Sequence, residues 1–79
     1  MLRVVVQGRF RVYVYAEGGQ PHHLPHCNVR WPDGEAQVSL RTLSVLAGDR
    51  LPREAHMLLV RHQAKIAAAW DALNPRRPV

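Results

Sequence analysis

HCNVRWPDGEAQVSL, His26 to Leu40, carries the pattern that decides the fold. In its second half Ala36, Val38 and Leu40 alternate with Glu35, Gln37 and Ser39, the period of two expected of a strand with one buried face. In its first half Cys27, Val29 and Trp31 alternate with His26, Asn28 and Arg30. Pro32, Asp33 and Gly34 between them supply a turn. The stretch therefore reads as two strands, with Cys27, Val29, Trp31, Ala36, Val38 and Leu40 sharing the buried face.

Working towards the N-terminus, LRVVVQ (Leu2 to Gln7) and FRVYVY (Phe10 to Tyr15) are rich in β-branched and aromatic residues and are separated by Gly8 and Arg9. They read as a hairpin. Phe10, Val12 and Val14 join the buried face. Gly18, Gly19, Gln20 and Pro21 then interrupt the pattern. Four short strands in succession predict an antiparallel meander.

Towards the C-terminus, residues 41 to 51 read as a connector with its own apolar side chains, Leu43, Val45 and Leu46, ending at Gly48 and Asp49. Pro52 suits the first position of a helix, where its missing N–H costs nothing. From Pro52 to about Leu73, Ala55, Leu58, Leu59, His62, Ile66, Ala69, Trp70 and Leu73 recur at steps of three and four, which places them on one helical stripe. That stripe is expected to cover the sheet, burying Trp70, Leu59 and Ile66 with Val12, Val29 and Val38. Asn74 and Pro75 end the helix. The predicted fold is α+β: a four-stranded antiparallel β-meander with a long C-terminal α-helix packed on one face. Residues 1–75 form a single domain, and the basic residues 76–79 form a tail expected to be mobile.

Size and composition bound the function. Seventy-nine residues, 47% of them hydrophobic, suit one small core and leave no room for two. A single cysteine makes no internal disulfide, which fits a reducing cytoplasm. MLRVVVQGRF has too short an apolar run for a signal peptide, and no segment approaches the roughly 20 apolar residues of a membrane helix. The expectation is a cytoplasmic protein without a membrane partner. Ten arginines and one lysine against six acids give a formal charge of +5, which favours anionic partners. The cations are nonetheless scattered along the chain.

PHHLPHC, Pro21 to Cys27, concentrates three of the five histidines and the cysteine. A tetrahedral metal site normally draws its ligands as two pairs from two backbone directions. Here His22, His23, His26 and Cys27 crowd one segment, while His62 lies on the core stripe and His56 about a third of a turn away. His26 and Cys27, adjacent in a strand, point to opposite faces and cannot act as base and nucleophile. Cys27 reads as a small buried apolar residue. No metal, no cofactor and no enzymatic activity are expected.

Two surfaces remain. On the outer sheet face the alternation gathers Arg11, Tyr13, Tyr15, His26, Asn28 and Arg30, a basic surface with two stackable rings. Such surfaces hold unpaired bases in several RNA-binding folds; they also serve as cross-strand pairs that solubilise an open sheet. On the helix, Met57, Val60, Ala64 and Ala68, with Ala67 beside them, form a second apolar seam flanked by Arg61 and Lys65. Either the 43–46 connector or another chain, a homodimer mate or a small protein partner, is expected to cover it.

LPHCNVRWPDGEAQVSL resembles the signature of the small bacterial proteins grouped as domain of unknown function 4160: a proline, a Pro-His-x-His strand, a turn and a Glu-Ala strand. Pro25 and His26 match the first two motif positions, and Asn28 stands where the second histidine belongs. The FRVYVY strand, the helix after the connector and Trp70 near its end extend the likeness over most of the chain. The resemblance implies no established activity. It implies proteins often encoded beside a second small protein, in pairs similar to toxin–antitoxin modules. The functional expectation is a protein-interaction or regulatory module, with weak nucleic-acid binding through the sheet face as the alternative.

Overall fold

Each run with a strand pattern forms a strand in the computed structural model, which describes residues 1–17 and 24–79. The elements are β1 (Leu2–Gln7), β2 (Phe10–Val14), β3 (His26–Trp31), β4 (Gly34–Ser39), β5 (Val45–Gly48) and α1 (Arg53–Leu73). All strands are antiparallel to their neighbours, in the spatial order β1-β2-β3-β4-β5. Gly8 occupies the first place of the two-residue β1–β2 turn with φ 58°, a conformation that costs glycine little. His22 and His23 lie outside the described residues. Among those residues no helix is long and apolar enough to cross a membrane.

The meander has five strands rather than four. Val45 to Gly48, read as connector, pairs with β4 through Ala36↔Gly48, Gln37↔Ala47 and Val38↔Val45, with a bulge between Gln37 and Val38. All four residues of β5 are exposed, so the strand has no buried face and no alternation to betray it. It forms because β4 would otherwise leave its backbone groups unpaired. Its glycine is required by space: a Cβ on Gly48 would stand 2.5 Å from the Glu35 carbonyl oxygen, at a φ of 94°.

A second bulge shapes β1. Leu2 and Arg3 pair with Val14 and Tyr13, but Val5, Val6 and Gln7 pair with Val12, Arg11 and Phe10, so Val4 is the extra residue. The bulge lets Val5 turn into the core, where it is buried. Three successive valines do not reveal which of them faces inward.

The helix lies across β1, β2 and β3. At 1.5 Å per residue its 21 residues span roughly 31 Å, the full long dimension of the molecule, 31 Å. Ala55, Leu58, Leu59, Ile66 and Trp70 are buried beneath it against Val12, Val14, Cys27, Val29 and Val38. His62, Ala69 and Leu73, on the same stripe, are half-buried at its margins; His62 Nε2 lies 3.4 Å from Gln7 Oε1. Trp31, expected in the core, is also half-buried and packs its ring near Phe10, 6.0 Å between centroids. Pro52 stands just outside the helix as its N-cap, accepting the His56 N–H.

Asn74 fastens the helix C-terminus to the sheet. Its Nδ2 donates to the carbonyls of Tyr15 (3.0 Å) and Trp70 (3.2 Å), and its Oδ1 accepts the Glu17 N–H at 2.7 Å. The tail is held rather than free. Arg77 N–H donates to the Asn74 carbonyl, the Trp70 indole N–H donates to the Arg77 carbonyl at 2.6 Å, and Val79 N–H donates to Asp71 Oδ1. A buried indole N–H needs an acceptor, and the returning chain supplies it.

Ile66→Ala is expected to cost about 2–5 kcal/mol through the cavity it leaves, whereas Met57→Ala, on the exposed side, should change stability by no more than about 0.5 kcal/mol. Urea unfolding midpoints compared at constant slope measure both. Asn74→Ala strands part-buried backbone groups at Tyr15 and Glu17 and should cost roughly 1–3 kcal/mol; an unchanged midpoint would show that water replaces the carboxamide.

Candidate functional site

Because α1 occupies one face of the sheet, no helix of the described residues covers the other. The strand registers lay two cross-sheet rows on it. Val6, Arg11, Arg30 and Glu35 stand side by side on β1 to β4, and Arg3, Tyr13, Asn28, Gln37 and Ala47 follow in the next row from β1 to β5. Arg11 and Arg30 are thus directly opposite one another, a like-charge pair that disfavours the sheet. Arg30 is engaged on several sides: its guanidinium lies 5.1 Å from the Tyr13 ring centroid, NH2 donates to the Tyr15 hydroxyl at 3.1 Å, and Nε sits 3.6 Å from Glu35 Oε2. Arg11 meets no carboxylate among the described residues and donates only a long bond to the Arg9 carbonyl, 3.4 Å.

The structure thus assembles Arg11, Tyr13, Tyr15, Asn28 and Arg30 on the outer face. His26 does not join them. It is 3% exposed, its Nδ1 donates to the Leu24 carbonyl at 2.8 Å, and its Nε2 lies 3.4 Å from Glu17 Oε1. Its ring packs 5.3 Å from that of Trp70. Simple alternation fails here because β3 begins at His26, where the chain is not yet held flat between two neighbours: β2 pairs only from Asn28 onward. The motif histidine therefore has a structural setting. With Glu17, Trp70 and Asn74 it forms the knot joining the sheet to the end of the helix.

Cys27 is fully buried, and burial pushes its thiol up from 9.0 to about 12, against a smaller opposing backbone hydrogen bond. Its neighbour His26 is engaged by the Leu24 carbonyl, Glu17 and the Trp70 ring. Among the described residues no three His, Cys, Asp or Glu side chains are grouped closely enough to hold a metal ion.

The helical seam is open. Met57 and Val60 are 55% and 54% exposed, and Arg61, Ala64, Lys65 and Ala68 are exposed with them. The 43–46 segment, one of the two expected covers, leaves the seam exposed: Val45 and Leu46 belong to β5 at the far edge of the sheet, and Leu43 packs against the core.

A five-stranded meander backed by one helix, with an exposed basic face and an exposed helical seam, defines a small α+β domain. Residues 10–71 match the family model described as Domain of unknown function (DUF4160), and the chain belongs to that family. Comparison with curated proteins and with solved structures gives no match. The matched span runs from the first residue of β2 to the last turn of α1, and so takes in His26, Trp70 and the core.

The thiol shift has a direct readout. At pH 8 a pKa near 12 rather than 9.0 lowers the thiolate fraction about a thousandfold, and only the thiolate attacks. Folded protein should therefore react with a disulfide reagent at least about a hundredfold more slowly than protein unfolded in guanidinium. The same shift makes the unfolded state release its proton first as pH rises. The contribution of Cys27 to stability is full below about pH 9 and is lost between 9 and 12, a slope that Cys27→Ala should remove. Equal reaction rates in folded and unfolded protein would place the thiol at the surface.

Proposed function

We propose that this domain acts by contact rather than by catalysis, as a protein-interaction module whose exposed helical seam takes a small acidic protein partner. The observation that carries this reading is the pairing of exposure with unmatched charge on α1. Met57 and Val60 are more than half exposed, while Arg61 and Lys65 stand one helical turn apart beside them. Like charges at that spacing disfavour a helix, and neither forms an ion pair among the described residues. Ala64 and Ala68 leave room for another backbone to approach closely.

Charge also selects the partner. Two copies of α1 meeting about an axis near Ala64 would bring two arginines and two lysines together, on chains that each carry a formal +5. An acidic surface around an apolar ridge relieves both terms. A 79-residue domain gains in stability from such binding by mass action. A regulatory pair of small proteins, of the toxin–antitoxin-like kind that the family resemblance implies, is the setting in which such a module would work. The lack of a reactive thiol and the structural engagement of His26 support a non-enzymatic role.

Tagged parent and Ala64→Glu protein, expressed in the native cell and recovered side by side, test this. The parent is expected to retain one acidic protein in near-stoichiometric amount that the variant loses, with identical circular dichroism and Tm for the two. Retention of that protein by both overturns the seam. A purified parent with twice the 9.0 kDa chain mass, reverting to single mass on Ala64→Glu, replaces the heterologous partner with a second copy.

A further inference from the structure

The outer sheet face carries a second site, independent of the helix. A shallow hollow at the β2–β3 end is lined by Arg9, Arg11, Tyr13, Arg30 and Trp31. Arg11, Tyr13 and Arg30 reach it from the outer face, whereas the Arg9 guanidinium lies over the Phe10 ring and 3.8 Å from Glu54 of α1, and the Trp31 ring packs near Phe10. On the next strands a second hollow continues from Arg30 past Asn28, Glu35, Gln37 and Ala47, so Arg30 stands at the junction of a track running over β2 to β5.

Charge within the track is poorly matched by the protein itself. Arg11 faces Arg30 in register, Arg11 meets no carboxylate among the described residues, and Glu35, the carboxylate that lines the track, is exposed and 3.6 Å from Arg30 Nε. An exposed pair at such a separation contributes little. A ring is available as well: Tyr13 is half-buried and borders the hollow. Guanidinium groups spaced across neighbouring strands, with an aromatic ring beside them, complement a chain of phosphates and flat bases better than they complement carboxylates on a folded surface.

We propose that this track binds a short single-stranded nucleic acid, with phosphates on Arg11 and Arg30 and a base against Tyr13. Binding removes the like-charge strain between Arg11 and Arg30. The open side of the sheet admits an unpaired strand, since among the described residues no helix or strand pair projects from it to enter a duplex.

Trp31 provides the signal, because Trp70 is fully buried. Unlabelled ten-nucleotide uridine RNA is titrated into the purified protein at 20 mM and 200 mM NaCl, following tryptophan emission, with a fluorescein-labelled copy followed by anisotropy in parallel. Emission quenching is expected at low salt, with affinity falling at least tenfold at the higher salt as counterions are released. Arg11→Ala with Arg30→Ala should weaken binding at least tenfold and flatten the salt slope by one to two, at unchanged Tm. Arg61→Ala, on the helix, should leave it unaltered. Equal losses from both sets would reveal attraction to net charge alone and overturn the site. Absence of binding at 20 mM NaCl overturns it too. Poly-glutamate that quenches Trp31 and competes as well as the RNA would reassign the track to an acidic protein.

Discussion

One helix must close the core of a five-stranded sheet, and everything else in the molecule follows from that constraint. A sheet and a helix each present two sides, and 79 residues supply only one contact between them. The 21 residues of α1 reach the length of the molecule but the breadth of only three strands. The buried layer is therefore thin, with Trp70, Leu59, Ile66 and four fully buried valines at its centre. Both outward sides remain in contact with solvent. A larger domain would hide such surfaces under further elements.

Holding that single contact together falls to polar groups at its end. Asn74 bonds to Tyr15 and Glu17, which leave β2, while His26 reaches Glu17 and leans on Trp70, and Trp70 in turn bonds to Arg77. Segments more than fifty residues apart in sequence thus meet at one corner. This explains why the proline and histidine of the family motif sit at the mouth of β3. The histidine serves the joint between layers.

The strands of alternating pattern and the long amphipathic helix were legible in the sequence because burial on one side imprints a period. Val12, Val29, Val38, Leu59, Ile66 and Trp70 are all buried as their spacing requires. Legibility failed where that imprint is missing. β5 is exposed on both sides, the bulge in β1 breaks the count, and the end of β3 lies beyond its pairing with β2, so His26 leaves the row that alternation assigns it. The tail was illegible for another reason: its anchor is an indole N–H whose need for an acceptor depends on how deeply Trp70 is buried. Of the outer-face residues, Arg11, Tyr13, Tyr15, Asn28 and Arg30 were readable from parity alone. Their direct confrontation, arginine against arginine, required the register.

An open meander ends in two unpaired strand edges, and β1 is one of them. LRVVVQ has the composition of segments that recruit copies of themselves into stacked sheets: β-branched, weakly charged and free of proline. Leu2 and Val6 are exposed along it. The extra residue at Val4 breaks the ladder after Arg3, twists the edge and offers an incoming strand no uninterrupted row of hydrogen-bonding partners. The same irregularity that turns Val5 inward therefore also guards against self-templated aggregation, on the side of the molecule where its own chain offers no cover.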